Sequence, residues 1–196
     1  MYLLDANIFI QAKNYHYAFD VVPGFWRWLE RAHGIGIAGS VERVREELLV
    51  GKDELADWAR THSSFFHPID DDTAACFRPL LEWASSAPAG YKSAALNEFS
   101  SDAADFLLVA HALAHRHVVV THEVPSPNSS RRVKIPDACK ALGVEWESPF
   151  AMLRKSKAEF DLVESFAPGP SGDSGRPGQD EPDRAGESKG GQGLLF

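Results

Sequence analysis

The chain has 196 residues, 44% hydrophobic and 24% charged, with a net charge of -8 at neutral pH. That composition describes a globular domain and excludes a fibrous or low-complexity chain. Its acidic balance excludes a general nucleic-acid coat, because phosphate binding is driven by Lys and Arg releasing counterions.

No run of about 18 apolar residues is present, so no membrane span is expected. The opening Met1-Tyr2-Leu3-Leu4-Asp5 lacks the basic segment of a secretory leader. Two cysteines, Cys76 and Cys139, cannot build a disulfide scaffold or a zinc finger alone. The expected compartment is the cytoplasm.

In chain order, Tyr2-Leu3-Leu4 is a short apolar strand that stops at Asp5. Residues 24–33 place Phe25, Trp26 and Leu29 at helical spacing, with Trp28 on the more exposed side. Residues 35–38 form a second strand. Ser40 is a candidate N-cap for a helix through Val41, Val44, Leu48 and Leu49 that closes at Gly51. A helix follows from Asp53, then an extended Phe65-Phe66-His67-Pro68, then one helix over 70–85 and a weaker one near 91–99. Asp105 opens a strongly apolar helix to Ala114, and Val118-Val119-Val120-Thr121 is a third strand. A helix over 136–142 ends at Gly143, and Val144-Glu145-Trp146 is a candidate fourth strand. Trp26, Trp58 and Trp83 sit at amphipathic spacing and are expected in the core.

Strands alternating with helices imply a parallel sheet covered on both faces. The expected fold is an α/β/α three-layer sandwich with about four strands, spanning residues 1–166. Residues 167–196 are rich in Gly, Pro, Ser and charge and are expected to be a disordered tail. Its apolar tip, Leu194-Leu195-Phe196, reads as chance more readily than as a docking motif.

Gly34-Ile35-Gly36-Ile37-Ala38-Gly39 matches G-x-G-x-x-G literally. In a dinucleotide fold those glycines follow a strand and open a helix. Here the alternating Ile35 and Ile37 assign the glycines to the strand itself, so no nucleotide site is expected.

Four acids fall where an open parallel sheet binds ligands, at the carboxyl ends of its strands. Asp5 closes the first strand, Glu47 lies one turn before Gly51, Asp105 opens the apolar helix, and Glu123 follows the third strand. Singly, each reads as a helix cap, a turn residue or a surface charge. As a set they read differently. Two carboxylates about 4 Å apart repel by about 4 kcal/mol at an effective dielectric near 20, so a cluster of four needs a cation. Oxygen donors without cysteine or obligatory histidine favour Mg²⁺ or Mn²⁺ over Zn²⁺, and such a cluster suits phosphodiester hydrolysis.

In this order the motifs are recognisable. Leu3-Leu4-Asp5-Ala6-Asn7, Glu47-Leu48-Leu49-Val50-Gly51, Asp105-Phe106-Leu107-Leu108-Val109-Ala110-His111-Ala112 and Val119-Val120-Thr121-His122-Glu123 resemble the four acidic motifs of PIN domains. These include the metal-dependent ribonucleases of VapC-like toxins. The resemblance covers residues 1–150. The run from Thr121 to Ser129 is further similar to a PIN-like bacterial branch catalogued only as a domain of unknown function.

The resemblance implies a Mg²⁺- or Mn²⁺-dependent endoribonuclease, the toxin of a toxin–antitoxin pair, with RNA as substrate, an antitoxin protein as partner and a homodimer as a further assembly. Asp5, Glu47, Asp105 and Glu123 would be the catalytic acids, with Asp5, Asp105 and Glu123 on the metal and Asn7 and Thr121 orienting them. Glu123 stands where most PIN domains have Asp, and the span from Glu47 to Asp105 is longer than in compact toxins. Asp102 is a rival to Asp105, which the apolar pattern after Asp105 favours.

The alternative is a catalytically inactive PIN-like module that binds RNA or a protein. Arg131, Arg132 and Lys134 would hold a phosphate backbone if Glu123 is at the metal, or else form a solvated loop. Arg154, Lys155 and Lys157 read as a helix surface. His111 and His115 have a spacing that can bind Zn²⁺, but no third ligand is visible near them in sequence, and half-buried histidines are the simpler reading.

Overall fold

The computed structural model describes residues 1–161. The expected domain end at 166, the stretch 167–196 and the apolar tip lie outside the described residues. The chain runs β1 (Tyr2–Leu4), α1 (Ala6–Gln11), one π-helical turn (Ala12–His16), α2 (Pro23–Gly34), β2 (Ala38–Val41), α3 (Glu42–Val50), α4 (Glu54–Thr61), a 3-10 turn (Ser63–Phe65) and β3 (Phe66–His67). It continues through α5 (Asp71–Ala75), α6 (Phe77–Ala84), α7 (Ser93–Glu98), α8 (Ala104–His115), β4 (Val118–Val120), α9 (Ile135–Leu142), β5 (Trp146–Glu147) and α10 (Pro149–Lys155).

The five strands form one all-parallel sheet in the order β3-β2-β1-β4-β5. Leu3 and Leu4 point to opposite faces and are both fully buried, so helices cover both sides, as a parallel sheet requires. The chain winds outward from β1 through β2 to β3, then returns to the other side of β1 for β4 and β5. That reversal puts a crevice between the carboxyl ends of β1 and β4, the switch point where open α/β sheets take their ligands.

The sheet has five strands rather than about four. The additional one, β3, is the Phe66–His67 part of the segment read only as extended, and it pairs Ser40 with Phe66 and Val41 with His67. The second strand starts three residues later than its pattern suggests. Ser40 is therefore no helix cap: it lies buried in β2, where its hydroxyl donates to the Leu4 carbonyl at 2.6 Å. This bond holds the end of β1 one residue before Asp5.

Of the three glycines assigned to the strand, only Gly39 belongs there. Gly34 ends α2, and Gly36 makes the turn with φ of 73°. The helix read over 70–85 breaks at Cys76 into α5 and α6. Pro79 is the physical reason, since its ring removes one bond to the Ala75 carbonyl and clashes with it.

The helix most buried in the described residues is α8. Phe106, Leu107, Leu108, Val109, Ala110 and Ala112 are all in the core, as expected for a helix apolar on every side. It ends at Arg116 in the left-handed conformation, φ 55°, with both Arg116 and His117 donating to the Ala112 carbonyl. Trp26 and Trp58 are buried and Trp28 is half-buried, matching their expected places, while Trp83, expected in the core, is half-buried and packs against it. No helix among the described residues is long and apolar enough to cross a membrane.

Candidate functional site

Asp5 follows β1 and is held on three sides. Its own amide donates to Val120 O of β4 at 3.0 Å, its Oδ2 accepts from the Thr121 hydroxyl at 3.0 Å, and its Oδ1 accepts from the Asn7 amide at 3.4 Å. The last contact makes it the N-cap of α1. The capping role and a place in the acid cluster are compatible, because one carboxylate has several lone pairs. Asp5 is only 2% exposed. Burial is the main cause that pushes its pKa up to about 6, with the charge of Glu123 adding to it against the bonds from Thr121 and Asn7.

Asp105 arrives from the first turn of α8. It too is pushed up to about 6, by burial first and then by the charges of Asp5 and Glu123, with Arg132 opposing. Glu47 stands at the rim on α3, exposed, and feels Asp105 as a second cause after burial that raises its pKa. The electrostatic contacts thus link Asp5 to Glu123, Asp105 to both, and Glu47 to Asp105. Asp102, the rival of Asp105, is exposed and bonded to the Ser100 hydroxyl.

Glu123 is bound more tightly than its sequence suggests. Its Oε1 accepts from Lys134 Nζ at 2.6 Å and its Oε2 from the Ile135 amide at 2.9 Å, the first residue of α9. Its own amide donates to the Thr121 hydroxyl at 3.1 Å, so Thr121 bridges Asp5 and Glu123. Arg132 Nη2 lies 3.6 Å from Asp105 Oδ2 and 3.8 Å from Glu123 Oε1. Arg131 is exposed on the same loop.

Asp137, which the sequence analysis passed over as one more helix residue, fixes this loop. It is 8% exposed and takes the Ser126 amide on both oxygens, at 3.1 and 3.0 Å. Its place in the first turn of an amphipathic helix after a Pro- and Ser-rich loop was the available signal.

Four carboxylates facing Arg132 and Lys134 leave about two negative charges uncompensated when all are ionised. The donor set is all oxygen, and its most buried members resist ionisation. Both features fit a hard divalent cation such as Mg²⁺ or Mn²⁺. The residues that would hold it are Asp5, Asp105 and Glu123, the last through lone pairs left beside Lys134 and Ile135, with Glu47 coupled to them through Asp105. A cleft of about 190 Å³ next to Glu47 is lined by Lys13, Asn14, Glu47 and Asp53. A 440 Å³ cavity lies at the other end of β4, against Arg116, His117 and Val118, away from these acids.

The structure defines an α/β protein with an all-parallel five-stranded sheet and acidic side chains gathered at the carboxyl ends of β1 and β4. Within that class, the chain belongs to the family described as a domain of unknown function, DUF4411, whose model matches residues 2–160. No curated protein matches the sequence. Among solved structures, it is similar to a chain of VapBC2 from Rickettsia felis, described as bound to a DNA fragment from their promoter. The identity is 17% and the TM-score 0.47, over 75% of this chain and 97% of that one.

Proposed function

We propose that this protein is a PIN-like, metal-dependent endoribonuclease that hydrolyses phosphodiester bonds at the Asp5–Glu47–Asp105–Glu123 cluster. The observation that carries the reading is the electrostatic coupling at the β1/β4 switch point: Asp5 is raised to about 6 by burial and then Glu123, and Asp105 to about 6 by burial, Asp5 and Glu123. A bound Mg²⁺ or Mn²⁺ supplies a Lewis acid and acidifies a coordinated water. Asp5 and Asp105 would hold the cation with Glu123, Thr121 and Asn7 fix the direction of the Asp5 carboxylate, and Glu47 adds negative charge beside Asp105.

Arg132, 54% exposed on its side chain, is accessible to a backbone phosphate that would compete with Asp105 for it. Lys134 stays bonded to Glu123 Oε1 and fixes the direction of that carboxylate. The motif resemblance supports a toxin role and a silencing protein partner; both rest on analogy.

One observation favours the alternative of an inactive module that binds RNA or protein: Lys134 already occupies the position beside Glu123 that a cation would share. Cleavage assays with a mixed-sequence RNA separate the two. Activity that requires Mn²⁺ or Mg²⁺ and disappears in Asp5→Asn and Asp105→Asn supports the nuclease. Full activity in either variant removes the assignment, and RNA binding without cleavage in the wild type selects the module.

A further inference from the structure

Histidines that the acid cluster does not use gather further along α8. His111 lies 4.4 Å, ring to ring, from His115 and 5.9 Å from His117, and its other face stacks on His67 of β3 at 5.7 Å. Asp70, which caps α5, joins them. One ligand atom each from Asp70, His111 and His115 lies within 4.8 Å of the others. Asp105 is six and ten residues before the two histidines on the same helix, roughly 9 and 15 Å along its axis. This is a second location, not an extension of the first.

The hydrogen bonds determine which lone pairs are available. The Thr73 hydroxyl contacts Asp70 Oδ1 at 2.6 Å and His111 Nδ1 at 2.9 Å. It has one proton, and the ionised Asp70 carboxylate can only accept, so that proton goes to Asp70. His111 must then donate from Nδ1 to the hydroxyl oxygen. Neutral His111, buried at 4% exposure, therefore presents a bare lone pair on Nε2, with its ring held by a hydroxyl and a carboxylate behind it. That is the arrangement that orients metal-binding histidines.

His115 Nε2 is buried and lies 3.0 Å from Asp70 Oδ2, at ion-pair distance but outside hydrogen-bonding alignment. His67 Nε2 is also buried without a hydrogen-bond partner among the described residues.

We propose that Asp70, His111 and His115 form a binding site for a divalent transition-metal ion of the zinc type, clamping α5 to the second half of α8. Two imidazoles and one carboxylate are a zinc donor set, and borderline-soft nitrogen donors select against Mg²⁺. Bonds of 2.0–2.2 Å in a tetrahedron separate ligand atoms by roughly 3.3 Å, so side-chain rotations on the order of 1 Å close the present spread. The fourth position is left to water. The site ties the β3–α5 connection to the helix whose first turn carries Asp105.

The test uses Co²⁺ as a spectroscopic probe of tetrahedral coordination and Zn²⁺ as its competitor, on the full chain. The wild type and Asp105→Asn are expected to bind one equivalent of Co²⁺ with tetrahedral visible absorption that Zn²⁺ displaces. His115→Gln and Asp70→Asn are each expected to weaken Co²⁺ binding by about tenfold or more. Asp70→Asn keeps the helix cap, because Asn accepts the same amide, and a melting temperature equal to wild type shows that its loss of binding is not a folding defect. No tetrahedral signal in the wild type overturns the site. So does a smaller effect in either variant, or loss in Asp105→Asn.

Discussion

At its first turn α8 presents Asp105 to a crowd of carboxylates, and two to three turns later it presents His111 and His115 to a crowd of imidazoles. The chemistry is opposite and the cause is shared. Burial opposes ionisation in both places and like neighbours add to it. Asp5 and Asp105 rise to about 6, while His111 and His117 fall to about 4. Each end of the helix thus makes its crowded groups harder to charge, the carboxylates at one end and the imidazoles at the other.

The most severe way to break the comparison is to remove one end. Asp5→Asn or Asp105→Asn should lower metal-dependent cleavage by more than about a hundredfold, beyond the loss usual for a residue that merely orients a ligand. The same substitutions should raise the melting temperature of the metal-free protein near neutral pH, because they remove a buried like charge. Activity and stability moving in opposite directions would mark the site as functional rather than structural. Thermal melts beside cleavage rates check it.

The pH response of the metal-free protein sharpens the contrast. For Asp5 and Asp105 the folded pKa is raised, so their stabilising contribution is complete below the ordinary carboxylate value of 3.8 and is lost as pH rises through about 6. For His111 the folded pKa is depressed, so its contribution is present above 6.5 and is lost as pH falls through about 4. A shift of two units corresponds to about 3 kcal/mol per buried group at most. Between pH 6.5 and 4 the two ends should largely offset each other. Asp105→Asn should therefore make stability fall more steeply with acid than in the wild type, and His111→Gln should make it fall less. Denaturant unfolding across that range checks both, and slopes in the two variants identical to the wild type would contradict the assignment.

Smaller effects separate support from chemistry. Thr121→Val removes the bond to Asp5 while preserving shape, and should cost about 10- to 100-fold in Mn²⁺ affinity. Gly39→Ala acts on the other end. A Cβ there would lie 2.8 Å from His67 Nε2 and 3.3 Å from the Phe65 carbonyl, so it should cost about 1–3 kcal/mol of stability and leave cleavage unchanged. An unaltered melting temperature would contradict the packing of His67 over β2.

The oxygen end was the more legible in sequence. Asp5, Asp105 and Glu123 each border a strand or helix with a clear apolar pattern, so their positions followed once the sheet was recognised as parallel. The ordering of β1 beside β4 was not visible, because no local pattern states which strands are neighbours. The nitrogen end was readable only by half. His111 and His115 share a helix face, but Asp70 arrives through an N-cap that reads as nothing more than the start of a helix, and His67 sits on a strand of two residues, too short for any periodicity. Pro79 did announce the break at Cys76, and the continuous apolar spacing of Phe77, Leu80 and Leu81 masked it. Ser40 had the composition of a cap and the environment of a strand. Burial beneath Leu4 decided between them.

The most direct test of the carboxylate cluster is a calorimetric titration of Mn²⁺ into the metal-free protein, Asp105→Asn and Asp70→Asn at neutral pH. The account predicts binding in the wild type and in Asp70→Asn that disappears in Asp105→Asn. Binding unaffected by Asp105→Asn, or none in the wild type, would contradict it and leave the acids as caps and surface charges.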